Sequence, residues 1–105
     1  MIEFTTYIGR DNSFSVKIWR GTTLEEADAL PLAAVTRWAL VLRDGSVLDE
    51  QEMFIPKYED NILEINAGPW LEAKDYGPHR AHLVAYTFEN DDGVRLPDFK
   101  LKVLQ

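Results

Sequence analysis

A chain of 105 residues with 46% hydrophobic and 11% aromatic side chains has material for one core and one domain, and too little length for two. The absence of cysteine excludes disulfide staples, thiolate metal sites and cysteine nucleophiles. Eighteen acidic against eleven basic side chains give a formal charge of −7, and the basic residues stand singly along the sequence, which argues against nucleic acid, whose backbone is bound by clustered Lys and Arg. No apolar run approaches the roughly 20 residues that span a bilayer, and the N-terminus MIEFTTYIGRD lacks the basic and apolar regions of a signal peptide. No membrane partner and no standard secretion signal are expected.

In chain order, IEFTTYI is rich in β-branched and aromatic residues and ends at Gly9, Arg10, Asp11 and Asn12, a turn composition, so it reads as an N-terminal edge strand. In SFSVKIW, Phe14, Val16 and Ile18 alternate with Ser13, Ser15 and Lys17, the period of a strand with one buried face. Continuing that alternation puts Trp19 on the outer face. After Gly21, Thr22 or Thr23 is suited to cap a short helical turn, which Pro31 prevents from growing long. Val35 to Arg43 and Ser46 to Asp49 read as two strands joined at Asp44-Gly45, a pair that suits a tight hairpin. The face of Trp38, Leu40 and Leu42 is expected to be the buried one.

Met53 to Ile55 and Ile62 to Ile65 are two short apolar runs, and Pro56 makes the first an edge strand because proline cannot donate a ladder hydrogen bond. GPWLEAKDYGPH reads as a loop across the end of the sheets. Arg80 to Phe88 is the longest expected strand. The last strand alternates Phe99, Leu101 and Val103 with Lys100 and Lys102, whose period of two marks a solvated strand face. Between these two strands, Glu89, Asn90, Asp91 and Asp92 precede Gly93. Consecutive acids followed by glycine fit a hairpin turn, in which Asp and Asn bond their own backbone and glycine takes left-handed angles. A calcium loop instead spaces its oxygens and ends in a glutamate. No metal and no cofactor is expected.

A catalytic set is not legible. His79 and His82 straddle a junction between loop and strand and project in different directions, short of a zinc ligand set. The three serines, Ser13, Ser15 and Ser46, lack the flanking glycines of a nucleophile elbow. Neither a phosphate loop nor a dinucleotide fingerprint is present. The expectation is a protein that is not an enzyme. Three tryptophans on a sandwich would suit a sugar-stacking platform, but Trp38 lies in a run too apolar to be solvated and Trp70 follows Gly68-Pro69 where an aromatic would close the core. Trp19, flanked by Lys17 and Arg20, is left as the candidate partner contact.

About seven strands with alternating patterns and almost no helix predict a single all-β domain over residues 1–105, an antiparallel immunoglobulin-like β-sandwich. The succession IGRDNSFSVKIWRG, LPLAAVTRWALVLRDGSVL and RAHLVAYTFENDDGV resembles the immunoglobulin-like domains of tailed-bacteriophage structural proteins, in particular the N-terminal domain of baseplate upper proteins. Two features depart from that pattern: LPLAAV replaces an aspartate-containing loop, and the last strand carries Pro97 and Asp98. The resemblance implies a non-catalytic phage or prophage virion component of a tail, baseplate or head-to-tail connection, found in the virion or in the bacterial cytoplasm before assembly. Its implied partners are other virion proteins, with self-association open. The alternatives are a carbohydrate-binding module and an acidic inhibitor that mimics DNA.

Overall fold

The computed structural model describes residues 2–18, 32–88 and 92–105. These form strands β1 (Glu3–Tyr7), β2 (Phe14–Lys17), β3 (Val35–Val41), β4 (Val47–Leu48), β5 (Phe54–Lys57), β6 (Ile62–Ile65), β7 (Gly77–Thr87), β8 (Val94–Arg95) and β9 (Phe99–Leu104). Among the described residues the helical segments are single 3-10 turns of three residues, such as Gly68–Trp70. The strands build two sheets, one in the order β1-β9-β7-β3-β4 with β8 also on β7, the other in the order β2-β6-β5. With β8 and β9 taken as one interrupted strand, this is the immunoglobulin-type division of strands. Trp38, in the third strand where such sandwiches bury a tryptophan, is 5% exposed. No disulfide backs it.

Two sequence expectations need correction. The sheet is not wholly antiparallel, because β1 pairs with β9 in parallel, Phe4 opposite Leu101 and Thr6 opposite Val103. That pairing covers the edge β9 would otherwise expose. The last hairpin is also not continuous. Between the pairs Ala81/Phe99 and Val84/Arg95, β7 has two residues, His82 and Leu83, while the returning chain has three, Leu96, Pro97 and Asp98. The extra residue is a bulge. It reverses the alternation, so Leu96 and Phe99 both point inward although an odd number of positions apart, and it accommodates Pro97. The strand β7 also starts earlier than its pattern suggests, with Pro78 opposite Lys102.

The expected core forms. Phe14, Ile18, Trp38, Leu40, Leu83 and Leu101 are buried, and Val16 is partly buried against them. Burying such side chains is worth about 1.5–3 kcal/mol each, the main source of stability in a chain without disulfides. At one edge, Phe4 stacks on Phe14 with centroids 5.1 Å apart and meets Phe99 edge-on at 5.5 Å, which joins the two sheets through β1, β2 and β9.

Two loops are fixed by side-chain hydrogen bonds. The Oδ1 of Asn12 accepts from Thr6 Oγ1 and the Tyr7 amide, while its Nδ2 donates to the carbonyls of Tyr7 and Arg10. The amide of Asn12 donates to Asn66 Oδ1. Gly68 packs so closely on this turn that a Cβ there would overlap the carbonyl oxygens of Arg10 and Tyr7. Between β3 and β4, Leu42 and Ser46 close a three-residue loop in which Gly45 takes φ 89° and Asp44 Oδ1 accepts from the Ser46 amide. This is the expected Asp-Gly hairpin, of the type with a left-handed third residue. Gly93 takes φ 92°, as its turn requires, while Glu89, Asn90 and Asp91 lie outside the described residues.

Candidate functional site

Alternation along each strand sends every second side chain of the large sheet away from the core. On β7 the inward set is Ala81, Leu83, Ala85 and Thr87, so Arg80, His82, Val84 and Tyr86 face outward. The pairing register then sets their neighbours: Lys100 lies opposite Arg80, Arg95 opposite Val84, Val41 opposite His82 and Arg37 opposite Tyr86. Lys102 continues the outward row of β9 beyond Lys100. Arg43, just past β3, lines a groove with Arg80, Lys100 and Lys102.

Cations that stand singly in the sequence are therefore gathered on one surface. Among the described residues, Arg37, Arg43, Arg80, Arg95, Lys100 and Lys102 share this face with two acids, Glu3 opposite Lys100 and Asp98 in the bulge, a formal +4 from six basic and two acidic side chains. Elsewhere among the described residues, eleven acidic side chains stand against four basic ones. The chain's net charge conceals a segregated distribution. The sequence argument against nucleic acid rested on cations scattered along the chain, and pairing of β7 with β3, β8 and β9 removes that premise.

Asp98 organises the centre. Its Oδ2 accepts from Arg80 Nε at 2.7 Å and its Oδ1 from an Arg95 guanidinium nitrogen at 3.1 Å, with His82 Nδ1 at 4.0 Å. The hydrogen bond from Arg80, then that from Arg95, holds the Asp98 carboxyl below the usual carboxylate range against the opposing effect of partial burial. Burial lowers the pKa of His82, the Arg95 charge lowers it further, and Asp98 partly offsets both. On the other side of the face, the Arg37 guanidinium lies 4.1 Å from the centroid of the Tyr86 ring, close enough for a cation–π contact.

Two depressions open on this face. One, about 480 Å³, is lined by Glu3, Arg43, His79, Arg80, Lys100 and Lys102; the other, about 520 Å³, is lined by Arg43, Arg80, His82, Arg95 and Asp98 beside Val41 and Leu42. Arginine presents a planar fork of donors and lysine a compact charge, both suited to carboxylate or phosphate oxygens. No nucleophile paired with a base lines either depression. His79 is turned away from His82, its Nε2 2.6 Å from the carbonyl of Asp75, as the spacing of the two histidines predicted. Among the described residues, no group of three potential metal ligands occurs, and no helix is long and apolar enough to cross a membrane.

Of the contact residues selected from sequence, Lys17 alone is among those described, and it lies elsewhere. Lys17 is exposed at the end of β2, opposite Ile62 on the small sheet. Trp19 and Arg20 lie outside the described residues. Trp38 is buried and Trp70 is half-buried against the core, so neither stands on an open stacking surface. The cationic face left one signal in the sequence, the period-two pair Lys100 and Lys102, which reads correctly as a solvated strand face. Its meaning depended on Arg80 and Arg95 arriving beside it, and only the register supplies that. No protein-family model matches the chain, and a search of curated proteins finds no match.

Proposed function

We propose that the protein is a non-catalytic binding module that works through protein–protein contacts, with the outer face of its large sheet as the principal contact surface for an acidic protein partner. The observation that carries this reading is the segregation of charge: six basic side chains on one sheet face of a chain whose net charge is −7. Uncompensated like charges on one face oppose one another, and an oppositely charged partner relieves that repulsion while steering its own approach. The resemblance to phage immunoglobulin-like domains extends this to a role in virion assembly, where the partners are neighbouring structural proteins. Lys17, on the other sheet, is a second proposed contact; its sequence neighbours Trp19 and Arg20, proposed with it, lie outside the described residues.

The charge pattern favours this reading over an acidic DNA mimic, which would need the opposite sign across its most open surface. It also favours it over a glycan module that stacks sugars on tryptophan, since Trp38 and Trp70 are turned inward. The test is calorimetric titration of the protein with a glutamate-rich peptide at low ionic strength, against a Lys100→Glu/Lys102→Glu variant. Binding by the wild type and its loss in the variant are expected. Equal binding by both proteins, or turnover of a substrate by the purified wild type, would overturn the reading.

A further inference from the structure

The chain carries its own complement to the cationic face. Between β4, the edge of the large sheet, and β5, the edge of the small one, lie Asp49, Glu50, Gln51 and Glu52, all exposed. Asp49, Glu50 and Glu52 have no ion-pair partner among the described residues. Gln51 holds the segment in place. Its Oε1 accepts from the Trp38 amide at 2.9 Å and its Nε2 donates to the Trp38 carbonyl at 2.8 Å and to the Asp49 carbonyl at 2.6 Å. The side-chain amide thus takes the place of a neighbouring strand, satisfying β3 where the two-residue β4 has already ended. An acidic knob fixed in this way loses little conformational freedom on docking. Val47, 56% exposed, and Ile55, 40% exposed, flank it and supply apolar contact.

Resting on the proposed binding role of the cationic face, we infer that its acidic partner is a second copy of this chain, whose Asp49–Glu52 knob docks in the groove between Arg43, Arg80, Lys100 and Lys102. The sign of the charges fixes the geometry. Two copies related by a two-fold axis through the cationic faces would oppose like charges, as would two knobs, so a symmetric dimer through either surface is disfavoured. A single contact of knob with face is heterologous, leaves one knob and one face free, and propagates into a row or a ring, whereas the same contact made twice about a two-fold axis closes a dimer. The knob lies on a sandwich edge and the groove on a sheet face, so one molecule presents both surfaces.

The test measures mass against protein concentration by light scattering, at about 20 mM and about 500 mM salt, where the screening length falls from roughly 20 to 4 Å. The wild type is expected to grow in mass with concentration at low salt and to return to monomer at high salt. Two charge-reversed variants, Lys100→Glu/Lys102→Glu and Glu50→Lys/Glu52→Lys, should each remain monomeric, since the first takes the face from +4 to zero and the second turns the knob from −3 to +1. Mixed in equal amounts they should associate again, because the unaltered knob of the first meets the unaltered face of the second. All four altered positions are exposed, and circular dichroism checks that both variants keep the fold.

A wild type that stays monomeric at low salt overturns the inference, as does a mixture that associates no better than its components. If the monomeric protein still binds the glutamate-rich peptide through Lys100 and Lys102, self-docking fails while the binding role stands. If it binds a DNA duplex instead, both fail.

Discussion

The two outer faces of this sandwich are built from the same alternating strands and carry charge in opposite ways. On the small sheet, Glu64 accepts from Ser13 Oγ at 3.0 Å and lies 3.9 Å from Lys57 Nζ. Charge there is answered locally. On the large sheet, six cations share two acids among the described residues, and the better placed of these, Asp98, already serves both Arg80 and Arg95. A face with few charges, partly paired, offers a partner less electrostatic gain than the unbalanced one, which stores repulsion that a partner can relieve. The folding problem is the same on both sides of the molecule. The binding problem is posed on one.

The inner faces must hold for this contrast to exist at all, so the largest expected effect lies in the core. Trp38→Ala should cost about 3–5 kcal/mol, a large share of a small domain's stability, seen as a drop in thermal midpoint that removes both outer faces together. A midpoint equal to that of the wild type would mean that Trp38 is not packed between the sheets. Gly68→Ala comes next, at about 2–3 kcal/mol for forcing a methyl against the turn. Its damage should be local to the β1–β2 side, with hydrogen-exchange protection lost first around Asn12 and Asn66. Uniform loss of protection would contradict that placement.

Smaller effects sharpen the contrast between the faces. Asp98→Asn removes an acceptor charge from two arginines that are themselves 65–66% exposed, so the stability cost should be only about 1 kcal/mol. The same substitution makes the cationic face more positive. It should therefore tighten peptide binding while weakening the fold, a pair of opposite signs that a purely structural ion pair would not give. Weaker binding in Asp98→Asn would show that this carboxylate orients the arginines rather than restraining their charge.

The smallest expected effect is a pH dependence. His82 has its pKa lowered in the fold, chiefly by burial, so below its unfolded value of about 6.5 the unfolded chain binds more protons than the native one. Stability should thus fall as pH drops through that value, and the fall should end below the folded pKa. Asp98 acts lower still: its depressed pKa gives stability that is present above the ordinary carboxylate range and lost as pH falls through the folded value. Thermal midpoints of wild type and His82→Asn between pH 7.5 and 5.5 should diverge, the variant showing the shallower decline. Parallel curves would remove His82 from the account.

How much of this was legible in the sequence divides along the same line. Alternation in Phe14, Val16 and Ile18, the Trp38 face, the Asp44-Gly45 hairpin and the Pro56 edge strand were all readable, because each depends on residues close together in the chain. The parallel pairing of β1 with β9 was not, since it joins positions almost a full chain length apart. The bulge was half visible. Pro97 and Asp98 announced an irregularity, but only the register on β7 reveals that the extra residue turns Asp98 outward between Arg80 and Arg95. The cationic face was hidden for the same reason: Arg37, Arg80, Arg95 and Lys100 are isolated in sequence and become neighbours only through three strand pairings. Gln51 gave no periodic signal either, because its role is to imitate a strand with a side chain.

The most direct test of the central claim, that the outer face of the large sheet is the binding surface, is a titration of isotope-labelled protein with a glutamate-rich peptide, followed by amide chemical shifts at low ionic strength. The account predicts shifts concentrated at Arg43, Arg80, Arg95, Lys100 and Lys102 that disappear in high salt, with Ser15, Lys57 and Glu64 on the small sheet unmoved. Shifts confined to the small sheet, or a cationic face that does not respond, would contradict it.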